Sequence, residues 1–338
     1  MKRIAIIGGG SWGTALALAL GRSRRLQALS LWVHDAELAE IIRTTRENPV
    51  YLPGFKLPDE VSVTSGLSRA LRGAEIVLGV IPSAHARAVY SAMLPDVQPA
   101  AALVSATKGI EHDTRLRMTE VIKAVRNTQA GSTSFERVAV LSGPSFAHEV
   151  ARGDPTAVVI ASEEKALAAE LQEEFSGATF RLYTNDDVIG VELAGAVKNV
   201  IAIAAGVCSG LGFGANTTAA LLTRGLAEMT RLACAMGGRR ETLAGLAGMG
   251  DLVLTCTGAL SRNRAVGVEL GHGRALPEIL ASTRMVAEGV GTCRAARELA
   301  QRVGIEMPIT EQMYAVLYEG RPPREAIREL MERRLKSE

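Results

Sequence analysis

Residues 3–20 read RIAIIGGGSWGTALALAL, and this stretch decides the fold. Arg3 to Ile7 is a β-rich apolar run, Gly8, Gly10 and Gly13 give the spacing GxGxxG, and Thr14 to Leu20 carries a helical pattern. Strand, glycine turn and helix in that order form the dinucleotide-binding arrangement. The first glycine permits the tight turn, the second lets the backbone approach a pyrophosphate, and the third allows close helix packing. The helix N-terminus adds N–H donors for the anion. Ser11 and Trp12 fill the variable positions and are candidates to meet the pyrophosphate and the ring system, although Trp12 reads equally well as a core residue.

In this motif a carboxylate about 20 residues further on holds the ribose hydroxyls of NAD. Here the second strand, Leu29 to Val33, ends in His34, with Asp35 one place later. A histidine at the strand end accommodates a 2′-phosphate, so NADP(H) is favoured. NAD(H) stays open because Asp35 can reach a ribose hydroxyl, and His34 also reads as a surface loop residue. Further apolar runs at Ile76 to Ile81, Ala102 to Thr107, Val138 to Leu141, Thr156 to Ala161 and Thr179 to Tyr183 alternate with helical patterns. That alternation predicts an α/β fold with a doubly wound, mostly parallel Rossmann-type sheet. Pro53 to Pro58 reads as a surface loop. After Asn185 strands give way to Ala/Leu/Val/Gly segments of helical spacing. With 338 residues, two domains are expected, a dinucleotide-binding domain over 1–187 and an all-helical substrate-binding domain over 188–338. Ile81, Pro82 and Ser83, and Thr107 and Lys108, end strands and should line the crevice at the carboxyl edge of the sheet.

Composition narrows the function classes. Apolar residues make up 47% and charged residues 22%, which fits a globular chain, and the formal charge of +2 is far from the basic field that nucleic acid needs. Cys208, Cys234, Cys256 and Cys293 are too far apart for CxxC motifs, which reads as a reducing, cytoplasmic setting. The glycine-broken stretch 199–215, preceded by Lys198, reads as a buried helix, so no membrane insertion is expected. The histidines His34, His85, His112, His148 and His272 lack ligand spacing, so no metal is expected, and His148 reads as a helix-surface residue. A Walker lysine in a GK[ST] context is missing from the sequence.

The second cluster centres on VELAGAVKNVIAIAAG, residues 191–206. Ala194, Ala202 and Ala205 share a face with Lys198, beside a stripe of Leu193, Val197, Ile201 and Cys208. A lysine between two apolar faces either snorkels out or is held in a site, and small alanines leave room for a ligand. Downstream, Gly248-Met249-Gly250-Asp251 places a carboxylate after a flexible turn. Ser261 reads as an N-cap that sets Arg262 and Asn263 in a first helical turn, where N–H groups, dipole and guanidinium together suit a phosphate. Taken singly, Asp251 also reads as an ordinary cap or turn residue and Arg262 as a solvated first-turn charge.

These blocks resemble one family, the bacterial-type NAD(P)-dependent glycerol-3-phosphate dehydrogenases. The resemblance runs through GGGSWGTALA (8–17), ATKG (106–109), SGPSFAHE (142–149), GAVKNVIAIAAG (195–206), GFGANT (212–217), TRGLAEM (223–229), GDLVLTCT (250–257), SRNR (261–264) and EMPIT (306–310), essentially the whole chain. It implies Lys198 as the proton-accepting lysine and Lys108 as a second substrate lysine. It implies substrate contacts at Gly143, Ser145, Asn199, Asp251, Thr255, Ser261, Arg262 and Asn263. Cofactor contacts are implied at Ser11, Trp12, His34, Lys108, Ala147, Arg262, Val286 and Glu288. It also implies a cytoplasmic homodimer that supplies sn-glycerol 3-phosphate for glycerophospholipid synthesis.

On that resemblance the reaction interconverts glycerone phosphate and sn-glycerol 3-phosphate. Lys198 gives a proton in the reducing direction and takes one in the oxidising direction. Desolvation by the alanines and the charge of Lys108 favour its neutral amine, whereas Asp251 favours and orients the ammonium. Two alternatives stay open: a dehydrogenase for a 3-hydroxy acid or a sugar phosphate on the same plan, and a dinucleotide sensor without chemistry.

Overall fold

The computed structural model describes residues 2–22, 28–129, 137–283 and 286–335. Its chain divides into two compact units, one of Met1–Lys108 with Arg117–Val191 and one of Gly109–Leu116 with Glu192–Glu338.

All described strands lie in the first unit: β1 Arg3–Ile7, β2 Ala28–Trp32, β3 Glu47–Asn48, β4 Leu52–Lys56, β5 Val61–Thr64, β6 Ile76–Gly79, β7 Ala102–Ser105, β8 Val138–Ser142, β9 Thr156–Ala161 and β10 Phe180–Asn185. Eight of them form one sheet in the order β10-β9-β8-β7-β6-β1-β2-β5. Every neighbouring pair is parallel except β8 and β9. Helices α1 Ser11–Gly21, α2 Ala36–Thr45, α3 Leu67–Leu71, α4 Ser83–Met93, α5 Met118–Gln129, α6 Ala147–Arg152 and α7 Lys165–Phe175 accompany it. The inner strands β1, β6, β7 and β8 are almost wholly buried, which explains their continuous apolar runs. Strand order reverses between β1 and β6, so the glycine turn after β1 sits at a topological switch point.

Three local features differ from the sequence expectation. The stretch expected as a loop at Pro53 to Pro58 contains most of β4, which pairs antiparallel with β3 in a small hairpin. Glu47 Oε1 accepts from the Gly54 N–H at 2.9 Å and holds its turn. At the sheet's edge, β5 is an additional strand paired to β2. The runs ending at Ile81 and Thr107 leave the sheet after Gly79 and Ser105, where the Thr107 hydroxyl donates to Ile81 O at 2.6 Å.

Helix α8, Val188–Gly210, opens the helical part, followed by α9 Ala215–Ala235, α10 Arg240–Ala244, α11 Asp251–Thr257, α12 Arg262–Gly271, α13 Leu276–Ala281, α14 Glu288–Val303, α15 Pro308–Tyr318 and α16 Pro323–Met331. Of the described helices, α8 is long and apolar enough to cross a membrane, but 94% of its most apolar window is buried inside the protein, as in a core helix. It touches α12 backbone to backbone: a Cβ at Gly206 would lie 2.1 Å from Arg264 O, and one at Gly267 would lie 2.0 Å from Ile203 O. That glycine contact fixes where the first turn of α12 stands relative to α8.

Candidate active site

The glycine turn separates what the fold needs from what it does not. Gly8 has φ +130°, and a Cβ there would lie 2.2 Å from Val80 O; a Cβ at Gly13 would lie 1.8 Å from Gly8 O. Both glycines are forced by packing. A Cβ at Gly10 would meet nothing within 4 Å, so the chain itself does not require glycine there, and the open side suits a ligand's close approach. Gly10 is the N-cap of α1 and makes no side-chain cap bond, and Ser11 begins the helix, half-buried. Trp12 packs against the sheet core, and its buried indole N–H has no hydrogen-bond partner among the described residues. The turn therefore fits a dinucleotide's pyrophosphate. At the end of β2, His34 is exposed with its ring edge-on to Trp32 at 5.6 Å, while Asp35 caps α2 by accepting from Leu38 N at 3.0 Å. The nearest carboxylate is thus engaged in a cap.

Also in the first unit, the structure brings Lys108, Gly143 and Ser145 together. Lys108 Nζ donates to Gly143 O at 2.7 Å and lies 3.4 Å from Ser145 Oγ, and that hydroxyl donates to Gly143 O at 2.9 Å. Gly143 has φ +131°, which lets its carbonyl turn to the lysine. Ala147 begins α6, half-buried, and the neighbouring His148 is exposed, edge-on to Phe55 of the hairpin at 5.0 Å.

In the second unit, Lys198 lies on α8 with both adjoining faces buried, as the alanine and leucine pattern predicts. Its Nζ donates to Asp251 Oδ1 at 2.7 Å and to Thr255 Oγ1 at 2.6 Å. The Lys198 and Asp251 side chains are only 6% and 2% exposed, so this is a fully desolvated ion pair. Thr255 in turn donates to Asp251 O, one helical turn back. Asp251 was expected after a flexible turn; it stands instead as the first residue of α11, fed by a π-helical turn over Leu246–Gly250. A Cβ at Gly248 would lie 2.0 Å from Leu243 O, so the glycine serves tight packing rather than flexibility. Burial pushes the neighbouring Cys256 thiol up to about 12, against the pull of Lys198, so it stays protonated and offers no competing nucleophile.

The start of α12 is built as the sequence indicates: Ser261 Oγ accepts from Arg264 N at 3.2 Å and caps the helix. Arg262 in the first turn is exposed, yet surrounding protein desolvates its guanidinium and holds its pKa below the ordinary arginine value, opposed by the Glu288 charge. Asn263 differs from a simple anion contact. It is buried, donates to Asn199 Oδ1 at 2.9 Å, and accepts from Gly289 N at 2.9 Å. It thus ties α12 to the residue beside Lys198 and to the first turn of α14, where Glu288 stands half-buried. Val286, just before that helix, is exposed. Asn48 of β3, which the sequence reading passed over, reaches the glycine turn. Its signal is tertiary, with no motif of its own.

Two family descriptions match this chain: "NAD-dependent glycerol-3-phosphate dehydrogenase N-terminus" over residues 3–168 and the corresponding C-terminus over residues 187–328. A glycerol-3-phosphate dehydrogenase [NAD(P)+] of Koribacter versatilis is 57% identical over 334 residues, covering 98% of this chain and 98% of the relative. One of a Geobacter species, strain M21, is 53% identical over 337 residues, covering 100% and 99%. Among solved structures, the glycerol-3-phosphate dehydrogenase of Coxiella burnetii is 42% identical, with a TM-score of 0.91 over 98% of this chain and 99% of that one.

Proposed function

The chain belongs to the NAD-dependent glycerol-3-phosphate dehydrogenase family and is an NAD(P)-dependent oxidoreductase of that family, and we propose that Lys198 is its proton donor and acceptor. The observation that carries this assignment is the buried triad in which Asp251 and Thr255 hold Lys198 Nζ at 2.7 and 2.6 Å. A desolvated amine kept in one place by two partners is suited to proton transfer at a fixed atom.

When bound at the glycine turn, the nicotinamide cofactor would supply or take up a hydride. In the reducing direction the Lys198 ammonium gives its proton to the oxygen on C2 of glycerone phosphate. In the oxidising direction its neutral amine takes the hydroxyl proton of sn-glycerol 3-phosphate. Asp251 balances the ammonium charge, and Thr255 fixes its direction. Arg262 and the Ser261-capped turn of α12 hold the phosphate, with the Asn263 amide aligning that turn through Asn199 and Gly289. Lys108, steadied by Gly143 and Ser145, is a second cation for the substrate. Gly8 to Trp12, with Ala147, Val286 and Glu288, serve the dinucleotide, whose binding and the substrate's define the roles of the two parts of the chain.

His34 in place of a strand-end carboxylate, with Asp35 engaged in its cap, supports NADP(H) over NAD(H). A cytoplasmic homodimer feeding glycerophospholipid synthesis completes the proposal. The four thiols, all unpaired in disulfides, accord with a reducing compartment, and light scattering measures the dimer.

The experiment is an NADPH-oxidation assay on the purified protein with glycerone phosphate and, in parallel, 3-oxo acids. Turnover with glycerone phosphate alone is expected. Turnover with a 3-oxo acid instead overturns the substrate assignment, and tight NADPH binding without turnover makes the protein a sensor.

A further inference from the structure

Asn48 lies on the short β3–β4 hairpin, outside the glycine motif and far from it in sequence. It is wholly buried, and every hydrogen-bonding group of its amide has a role. Nδ2 donates to Gly9 O and to Thr14 Oγ1, each at 2.9 Å, and Oδ1 accepts from Tyr51 N at 3.0 Å. The Tyr51 N–H can only meet an oxygen, which settles which end of the amide faces the turn.

The consequence lies in the next peptide bond. No cis peptide occurs among the described residues, and in a trans peptide C=O and N–H point in opposite directions. With Gly9 O turned inward onto Asn48, the N–H of Gly10 is turned outward. That is the glycine whose Cβ position is open for 4 Å, whereas Gly9 is packed so tightly that a Cβ would lie 2.6 Å from Val33. The second contact, to Thr14, holds the first turn of α1, where a helix offers its N–H groups to an anion.

We infer that Asn48 is a positioning residue for the dinucleotide: it fixes the Gly9–Gly10 peptide and the first turn of α1 in the orientation that receives the pyrophosphate. It touches neither substrate nor reacting atoms. The inference rests on the reading of the Gly8–Gly13 turn as the dinucleotide site, so the test separates the two.

NADPH binding is titrated by fluorescence on the full chain for wild type, Gly10→Val, Asn48→Ala and Asn48→Asp, with thermal unfolding alongside. If wild type does not bind, or Gly10→Val binds equally well, the site itself is wrong and the inference falls with it. If Gly10→Val loses binding, the site stands, and Asn48→Ala is expected to raise the NADPH Kd about tenfold. Its KM for glycerone phosphate at saturating NADPH should then stay within about twofold of wild type, because the substrate contacts lie elsewhere. An unchanged Kd, or a parallel rise in both constants, overturns the positioning role. Asn48→Asp keeps the volume but donates only when protonated. Its affinity relative to wild type should therefore fall as pH rises through the carboxyl range and beyond, even if Asn48→Ala does not fold. Curves parallel to wild type would overturn the inference as well.

Discussion

Lys198→Met separates the chemical task of the lysine from its structural one. The side chain is replaced at nearly constant length, but Asp251, itself 1% exposed, loses the ammonium that lies 2.7 Å from its Oδ1. Removing one partner of a buried pair strands a charge and costs about 3–5 kcal/mol. For a unit of this size that corresponds to a melting-temperature loss of roughly 6–20 °C. Thr255 keeps its bond to Asp251 O, so the start of α11 is not otherwise disturbed. Adding Asp251→Asn removes the stranded charge, and the double variant should regain more than half of the lost stability. Activity should not follow: without a proton donor the rate falls by about 10²–10⁴-fold in both variants. Unfolding curves and steady-state rates on the same preparations measure both quantities. A double variant no more stable than Lys198→Met would mean that the pair is not coupled as its geometry requires. Recovery of rate together with stability would remove Lys198 from the chemistry.

Arg262→Ala should raise the KM for glycerone phosphate about tenfold to a hundredfold while changing kcat less, because the guanidinium grips a part of the substrate that does not react; equal loss in kcat would place Arg262 at the reacting carbon. His34→Asp restores a strand-end carboxylate and should move the NADP-to-NAD preference at least about tenfold towards NAD, read as the ratio of kcat/KM values. Glu228 of α9 caps the start of α15 by accepting from Ile309 N at 2.6 Å and Thr310 N at 3.2 Å, yet burial pushes its carboxyl up from 4.5 to about 7, against those bonds and the pull of Arg231. The folded state therefore holds this proton more tightly than the unfolded chain, and the contribution to stability present below pH 4.5 is lost as pH rises through about 7. Urea midpoints across that window should slope downwards for wild type and flatten in Glu228→Gln; identical slopes would refute the shift.

What the sequence made legible follows the range of each signal. Inner strands such as Ile76–Gly79, buried on both faces, leave unbroken apolar runs that need no partner to be recognised. The edge strand Val61–Thr64 alternates over four residues only, and Leu52–Lys56 contains Pro53 and Gly54 and pairs with just two residues, so neither exceeds the background of turns. Lys198 was legible as a lone charge in an alanine-rich helix, but its partner is 53 residues away, and no helical period carries that distance. The expected flexible turn before Asp251 failed because glycine was read as freedom when Gly248 serves contact with Leu243.

The GxGxxG motif shows the same division at the scale of one turn. Gly8 and Gly13 are demanded by Val80 and by Gly8's own carbonyl, and any chain packing strand to helix this closely would need them with or without a ligand. Gly10 is demanded by nothing in the chain, and the peptide beside it is oriented by an asparagine outside the motif. Two of the three glycines therefore report the fold, and one reports the function. A substitution at Gly8 confounds folding with binding, whereas Gly10→Val should leave the melting temperature within a few degrees and remove the dinucleotide. If Gly10→Val unfolded the protein, some packing role would have to account for that glycine, and the open space beside it would no longer speak for a ligand.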